Sequence, residues 1–153
     1  MNVRPITFDE QDLEGLTALM NQWDDLPVVL TREHIEATLR RMLEVPGTAL
    51  FVCEDGGALA GYACLTELIF LGMGPSIEVQ SILVDRVHRG RGVGKLLMER
   101  AESYAAGRGL DRVTLSSRVH LEGAHRFYKA LGYEVSRQSY FFGKKLGGVT
   151  RAT

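Results

Sequence analysis

Apolar and polar positions change period several times along the chain, and each change marks an element. Residues 3–8 (VRPITF) alternate and predict a short first strand, with Pro5 placing it near a sheet edge or at a strand start. Asp9 is a candidate N-cap for a helix over about 10–22, where Leu13, Leu16, Leu19, Met20 and Trp23 lie along one stripe. Asp24-Asp25-Leu26-Pro27 breaks that helix. Thr31 then caps a second one, with Ile35, Leu39, Met42 and Leu43 as its buried face and Val45-Pro46-Gly47 as its stop.

The period next shortens to two. Residues 49–54 (ALFVCE) and 58–66 (ALAGYACLT) are β-rich runs joined by Asp55-Gly56-Gly57, a hairpin signal. Residues 68–75, with Gly72 and Gly74, predict a turn or irregular link. Residues 76–84 (SIEVQSILV) predict a further strand. Helical spacing returns with Val93, Leu96, Leu97, Ala101, Tyr104 and Ala105, and ends at Gly107 and Gly109. A strand over 112–117, a helix over 121–131 stopped by Gly132, and two closing strands over 133–136 and 139–146 complete the pattern. Residues 148–153 predict a disordered tail behind one domain of 1–147. The order is β-α-α-β-β-β-α-β-α-β-β, an α/β chain with a mixed sheet. The strand–loop–helix–strand unit 76–117 must be a right-handed parallel crossover.

Between the strand at 76–84 and the next helix stands VDRVHRGRGVGK, residues 84–95. Gly90, Gly92 and Gly94 let the backbone take positive φ and lie close to a ligand. The first N–H groups of the following helix are unpaired, and its dipole favours an anion there. Charge agrees: residues 85–100 hold Arg86, Arg89, Arg91, Lys95 and Arg100 against Asp85 and Glu99, while the 153-residue chain has net charge −1. That balance argues against a nucleic-acid or anionic-membrane partner. No apolar run approaches a membrane span, and the first ten residues lack an apolar signal core, so the expected location is cytoplasmic. Cys53 and Cys64 read as reduced and buried, and no His/Cys spacing suits a metal. The loop fails two nucleotide templates. GxGxxG is broken because Lys95 takes the sixth place, and GxxxxGK[ST] is broken by Arg89 and Leu96.

The remaining pattern is R-x-x-G-x-G, Arg89 to Gly94. Together, IEVQSILVDRVHRGRGVGKLLMERAESYA and AHRFYKALGY resemble the acetyl-CoA-binding and C-terminal motifs of the GNAT (GCN5-related N-acetyltransferase) superfamily. The resemblance is strong over about 76–146, and over 1–75 it extends only to element order. It implies a mixed, mostly antiparallel sheet of about seven strands with a splayed parallel pair at its centre and helices on both faces. It further implies a bulge in the strand before the loop, with pantetheine entering the splay. On that basis Ile82, Leu83 and Val84 would contact pantetheine and the acetyl group. Arg89, Gly90, Arg91, Gly92, Val93, Gly94 and Lys95 would hold the pyrophosphate. A backbone N–H near Ile82 or Leu83 would stabilise the oxyanion.

The same resemblance assigns the chemistry. Tyr128 occupies the place of the general acid that protonates the leaving thiolate, and a phenol with a reference pKa of about 10 stays protonated as a donor must. Packing as a core aromatic is its other reading. Glu78 matches a carboxylate that deprotonates the amine directly or through water; its other reading is a solvent-facing strand residue. Gln80 would bind substrate, and His120 is a reserve base. Leu121 departs from the family, which often has Asn there, so the contacts of 121–124 stay open. Trp23, Asp24 and Asp25, with Tyr140 and Phe142, are candidates for the acceptor pocket, where acid and aromatic suit an ammonium. The other reading puts Trp23 in the core and Asp24-Asp25 in a solvated turn.

The expected activity is transfer of acetyl from acetyl-CoA to a primary amine, by direct attack in a ternary complex, without a metal. A small-molecule acceptor fits the near-neutral charge. A protein or RNA-attached amine, a non-catalytic acyl-CoA-binding module and a nucleotide-triphosphate enzyme are the alternatives. The apolar SYFF stretch offers an edge for pairing as a homodimer.

Overall fold

Two helix caps form as their side chains require. The Asp9 carboxylate accepts from the Asp12 N–H at 2.9 Å and starts α1 (Glu10–Met20), and the Thr31 hydroxyl accepts from the His34 N–H at 3.2 Å and starts α2 (Arg32–Leu43). The structure, a computed structural model, describes residues 1–147, so the expected tail at 148–153 lies outside the described residues. The chain divides into two compact units, one of residues 1–116 and one beginning at Ser117.

The first unit is built on a five-stranded sheet with strands in chain order: β1 (Asn2–Pro5), β2 (Ala49–Asp55), β3 (Ala58–Phe70), β4 (Gly74–Val84) and β5 (Val113–Leu115). The first three pairings are antiparallel and β4–β5 is parallel. β1 is an edge strand, as Pro5 predicts, and Gly56 and Gly57 turn the β2–β3 hairpin. The expected irregular link at 68–75 is instead mostly ladder, with Ile69 opposite Pro75 and Phe70 opposite Gly74, and only three residues turn. Backbone pairing over a long hairpin outweighs the weak strand propensity of the two glycines there.

Helices cover both faces. Leu13, Leu16 and Leu19 of α1 and Ile35 and Leu39 of α2 join Leu50, Val52, Tyr62, Cys64 and Leu83 in one core. On the other face α3 (Val93–Gly107) buries Val93, Leu97, Met98, Ala101 and Ala105. Gly61 permits its close approach. A Cβ there would stand 2.6 Å from the Leu83 carbonyl and 3.0 Å from Val93. Asp12, 1% exposed, anchors the start of α1 to the sheet. It takes both Arg4 Nη atoms at 2.7 and 2.8 Å and the Thr7 N–H at 2.8 Å, while Arg4 also reaches Glu54. The Arg4 hydrogen bonds hold the Asp12 carboxyl below its usual range, against the opposing effect of burial.

The second unit contains α4 (Glu122–Ala130), followed by Gly132 in the left-handed region. The two closing strands do not form among the described residues, which corrects the expected seven strands to five. Tyr140, Phe141 and Phe142 are 90%, 100% and 88% exposed, so their β-propensity finds no ladder to join. With those strands absent, the parallel pair lies at one end of the sheet rather than at its centre.

Candidate active site

The parallel pair opens where the resemblance requires. Ile77, Glu78 and Val79 pair with Val113, Thr114 and Leu115, and β4 then runs five residues further with no partner on that side. Next to the opening the register against β3 slips. Leu65 faces Val79 and Cys64 faces Ser81, leaving Gln80 as the bulged residue. The bulge changes which side chains share a face. Glu78, opposite Thr66, lies with Ser81 and Leu83 on the α1–α2 side, and Ile82 and Val84 lie on the other. The simple alternation 78, 80, 82, 84 therefore ends at the bulge.

β4 leads through a 3-10 turn (Arg86–His88) into the glycine loop. Gly90 and Gly92 have φ of 74° and 87°, and Gly92 is the N-cap of α3. Gly94 needs no such freedom, since it lies inside the helix with a negative φ, contrary to the expectation for three flexible glycines. Among the described residues, no carbonyl or side chain accepts from the backbone N–H groups of 89–95. Several donors at a helix N-terminus are thus without acceptors among the described residues, which suits a phosphate group.

The loop cations are partly balanced. Arg91 meets Asp55 at 3.0 Å, Arg86 meets Asp24 at 2.7 Å, and Lys95 stands 3.8 Å from Glu99. Arg89 reaches only the Val84 carbonyl, at 3.5 Å. Asp24 is therefore engaged by the loop through an exposed ion pair. Asp85 is fixed by Gln22 at 3.0 Å and by His88 at 2.8 Å. Burial pushes the Asp85 carboxyl up, but these hydrogen bonds outweigh it and leave it below the usual range.

Trp23 is half-buried, and its Nε1–H donates to the Tyr62 hydroxyl at 3.0 Å. Gln80 is exposed, and its Oε1 accepts from the Cys64 thiol at 3.4 Å. Burial pushes Cys64 up to about 11, and it raises Cys53 too, so neither thiol is a nucleophile at neutral pH. In the second unit Tyr128 is half-buried, its ring tilted against Phe127 at 5.1 Å and edge-on to Tyr133 at 6.3 Å, and burial raises its phenol. It holds its proton at neutral pH. Leu121 takes the N-cap of α4 and makes no side-chain cap bond. Tyr140 lies 6.4 Å from Phe142 and is exposed. Tyr62, Ser81 and Gln22 were not singled out in the sequence, and Asp55 was read only as part of the hairpin turn. A phenol alternating with apolar residues in ALAGYACLT was the one available signal, because a buried Tyr needs a partner for its hydroxyl.

A splayed parallel pair, a bulge beside it and an N–H cradle after it define the class. Residues 16–133 match the model of the acetyltransferase (GNAT) family. The chain belongs to that family and is an N-acetyltransferase by class. It is 41% identical over 86 residues to an uncharacterized N-acetyltransferase of Methanocaldococcus jannaschii, a match covering 55% of this chain and 38% of that protein. The chain thus spans well under half the length of that relative. It is 30% identical to glucosamine 6-phosphate N-acetyltransferase 1 of Oryza sativa subsp. japonica, over 86% of this chain and 79% of that one. Among solved structures, AAC(6')-Iy in complex with the bisubstrate analog CoA-S-monomethyl-acetylneamine superimposes with a TM-score of 0.79 at 21% identity, covering 95% of this chain and 98% of that one.

Proposed function

We propose that the protein transfers acetyl from acetyl-CoA to a primary amine of a small molecule, by direct attack in a ternary complex. The observation that carries the reading is the opening of β4 from β5 after Val79, immediately ahead of the N–H cradle at 89–95. An extended pantetheine arm needs a strand edge with free backbone groups, and a pyrophosphate needs the cradle. Ile82, Leu83 and Val84 lie on that free stretch of β4. The complex of AAC(6')-Iy with its CoA-containing bisubstrate analog supports acetyl-CoA as the acyl donor. That complex and the glucosamine 6-phosphate relative support a small-molecule acceptor.

Glu78, directly or through a water, takes a proton from the acceptor's ammonium, so that the neutral amine attacks the thioester carbonyl. Its carboxylate has no hydrogen bond or ion pair among the described residues. Tyr128 gives its proton to the departing thiolate, and a phenol raised by burial is protonated for that step. A main-chain N–H near Ile82 or Leu83 stabilises the oxyanion. Gln80 and Trp23 contact the acceptor, and Tyr140 is its third contact. The family match runs from 16 to 133, which supports reading 1–147 as one acetyltransferase domain. Two free buried cysteines suit the cytoplasm, and the exposed aromatics at 140–142 suit a homodimer contact.

Coenzyme A and ATP compared side by side by thermal melting test the cradle. Coenzyme A alone should raise the midpoint, whereas an equal or larger rise with ATP would contradict the assignment. Tyr128→Phe tests the acid: turnover should fall by about 10²-fold or more with coenzyme A affinity unchanged. Unchanged turnover would remove Tyr128 from the mechanism.

A further inference from the structure

Trp23 is the single tryptophan of the chain, and it is held from two directions. Its neighbours tie to the start of the cradle. Gln22 Nε2 donates to Asp85 at 3.0 Å, the Arg86 N–H donates to Gln22 Oε1 at 3.1 Å, and Arg86 Nη2 donates to Asp24 at 2.7 Å. The indole itself donates to Tyr62 at 3.0 Å. Tyr62 is 1% exposed within an aliphatic core, where phenylalanine would fill nearly the same space. A buried hydroxyl costs free energy unless it is paired. What the phenol adds over phenylalanine is the fixed place of the indole, with Ser81 interacting from β4.

The position of this pair matters. On the α1–α2 face of the sheet, core side chains end near Tyr62, Cys64 and Leu83. The next positions on that face are Ser81, Thr66, Glu78 and Ser76, with Leu68 opposite Ser76, and Thr66 bonds Thr48 at 3.0 Å. The half-buried Trp23 therefore stands where aliphatic packing gives way to the polar positions around Glu78, the one charged residue among those positions. An aromatic face and a single carboxylate are what a primary ammonium requires.

We infer that Tyr62 is a positioning residue for the acceptor amine: by holding Trp23 Nε1 it fixes the indole as an aromatic wall of the amine site on the sheet face that carries Glu78. This rests on the acetyltransferase reading given above. Tyr62 touches neither reactant; it acts through Trp23.

Because Trp23 is the only tryptophan, its emission reports on the wall directly. Glucosamine, kanamycin, spermidine and a short peptide with a free N-terminus are assayed with acetyl-CoA by free-thiol release, and the best acceptor is kept. Titrating that amine into the coenzyme A complex should change Trp23 emission with a midpoint matching its KM. Tyr62→Phe should raise that KM by about tenfold or more while kcat stays within about threefold. Trp23→Phe should raise it similarly, and Tyr62→Phe should add nothing in the Trp23→Phe background, because the hydroxyl works only through the indole. Coenzyme A affinity and melting of each variant check the fold. Unchanged emission in the wild type, an unchanged KM in Tyr62→Phe, or additive effects in the double variant would each overturn the inference while leaving the acetyltransferase reading intact. Absence of thiol release from the wild type with every amine would overturn that reading and this inference together.

Discussion

Gly92 is the point at which backbone conformation and the proposed cofactor binding meet. It caps α3 with φ 87° and ψ 1°, and a Cβ built there meets nothing within 4 Å. Gly92→Ala therefore causes no clash, and its effect is conformational. The left-handed region costs an alanine about 1–2 kcal/mol. Loss of freedom in the unfolded chain offsets about 0.4–1 kcal/mol of that. The net stability loss is about 1 kcal/mol, a drop of roughly 2–4 °C in melting temperature for a chain of this size. Binding should suffer more. In the proposed complex the N–H groups following residue 92 would reach the phosphate only while the cap keeps its conformation, and each hydrogen bond to a charged group contributes about 1.5–3 kcal/mol. Misplacing even one should weaken coenzyme A by about 2 kcal/mol, roughly 30-fold.

Gly109 supplies the control. It has φ 73°, an equally open surrounding, and lies past the other end of α3. Gly109→Ala should lose about the same stability and leave coenzyme A affinity within about twofold. Calorimetric titration of both variants, with melting curves, separates the two effects. Equal losses of affinity in the two variants, or none in Gly92→Ala, would refute the assignment of the cradle.

Other consequences follow from the packing. Arg4→Ala strands the Asp12 carboxylate, which is 1% exposed, and should cost about 2–4 kcal/mol by denaturant titration. The Asp12 carboxyl is held below its ordinary value in the folded chain, so its contribution is fully present above about pH 4–5 and is lost as pH falls through the lowered value; wild-type stability should drop in acid more steeply than that of Asp12→Asn. Gly61→Ala forces a Cβ to within 2.6 Å of the Leu83 carbonyl and should destabilise by about 1–3 kcal/mol or more, read as a lower denaturation midpoint. Because burial raises the Tyr128 phenol, activity should show no alkaline loss assignable to it below about pH 10 in a pH–rate profile.

Features set by neighbouring residues were legible in the sequence. Asp9 and Thr31 cap helices through the N–H three residues on, and Gly56 and Gly57 turn a hairpin, so pattern and outcome agree. The glycine loop was legible in part: Gly90 and Gly92 take positive φ as expected, and Gly94, inside α3, does not. What stayed hidden depends on long-range pairing. A bulge in this strand was implied by the resemblance, but its place at Gln80 is a register choice made against β3, and it moves Ile82 and Val84 off the face of Glu78. The Arg4–Asp12–Glu54 cluster joins residues up to fifty positions apart, and Trp23 meets Tyr62 across thirty-nine. The β-rich run at 139–146 has strand composition, but a strand needs a neighbour, and its exposed aromatics have none in the sheet. Asp24, read as a contact for the amine, is paired with Arg86 because the α1 end lies against the cradle.

The central claim is that the cradle and the open strand β4 present acetyl-CoA to an amine. Incubating the wild-type protein with acetyl-CoA and a broad panel of primary amines, while following free thiol and identifying products by mass spectrometry, tests it most directly. The account predicts, for at least one small amine, free thiol and N-acetylated product in equal amounts and dependent on the enzyme. Coenzyme A binding without thiol release above the enzyme-free rate for any amine would contradict it.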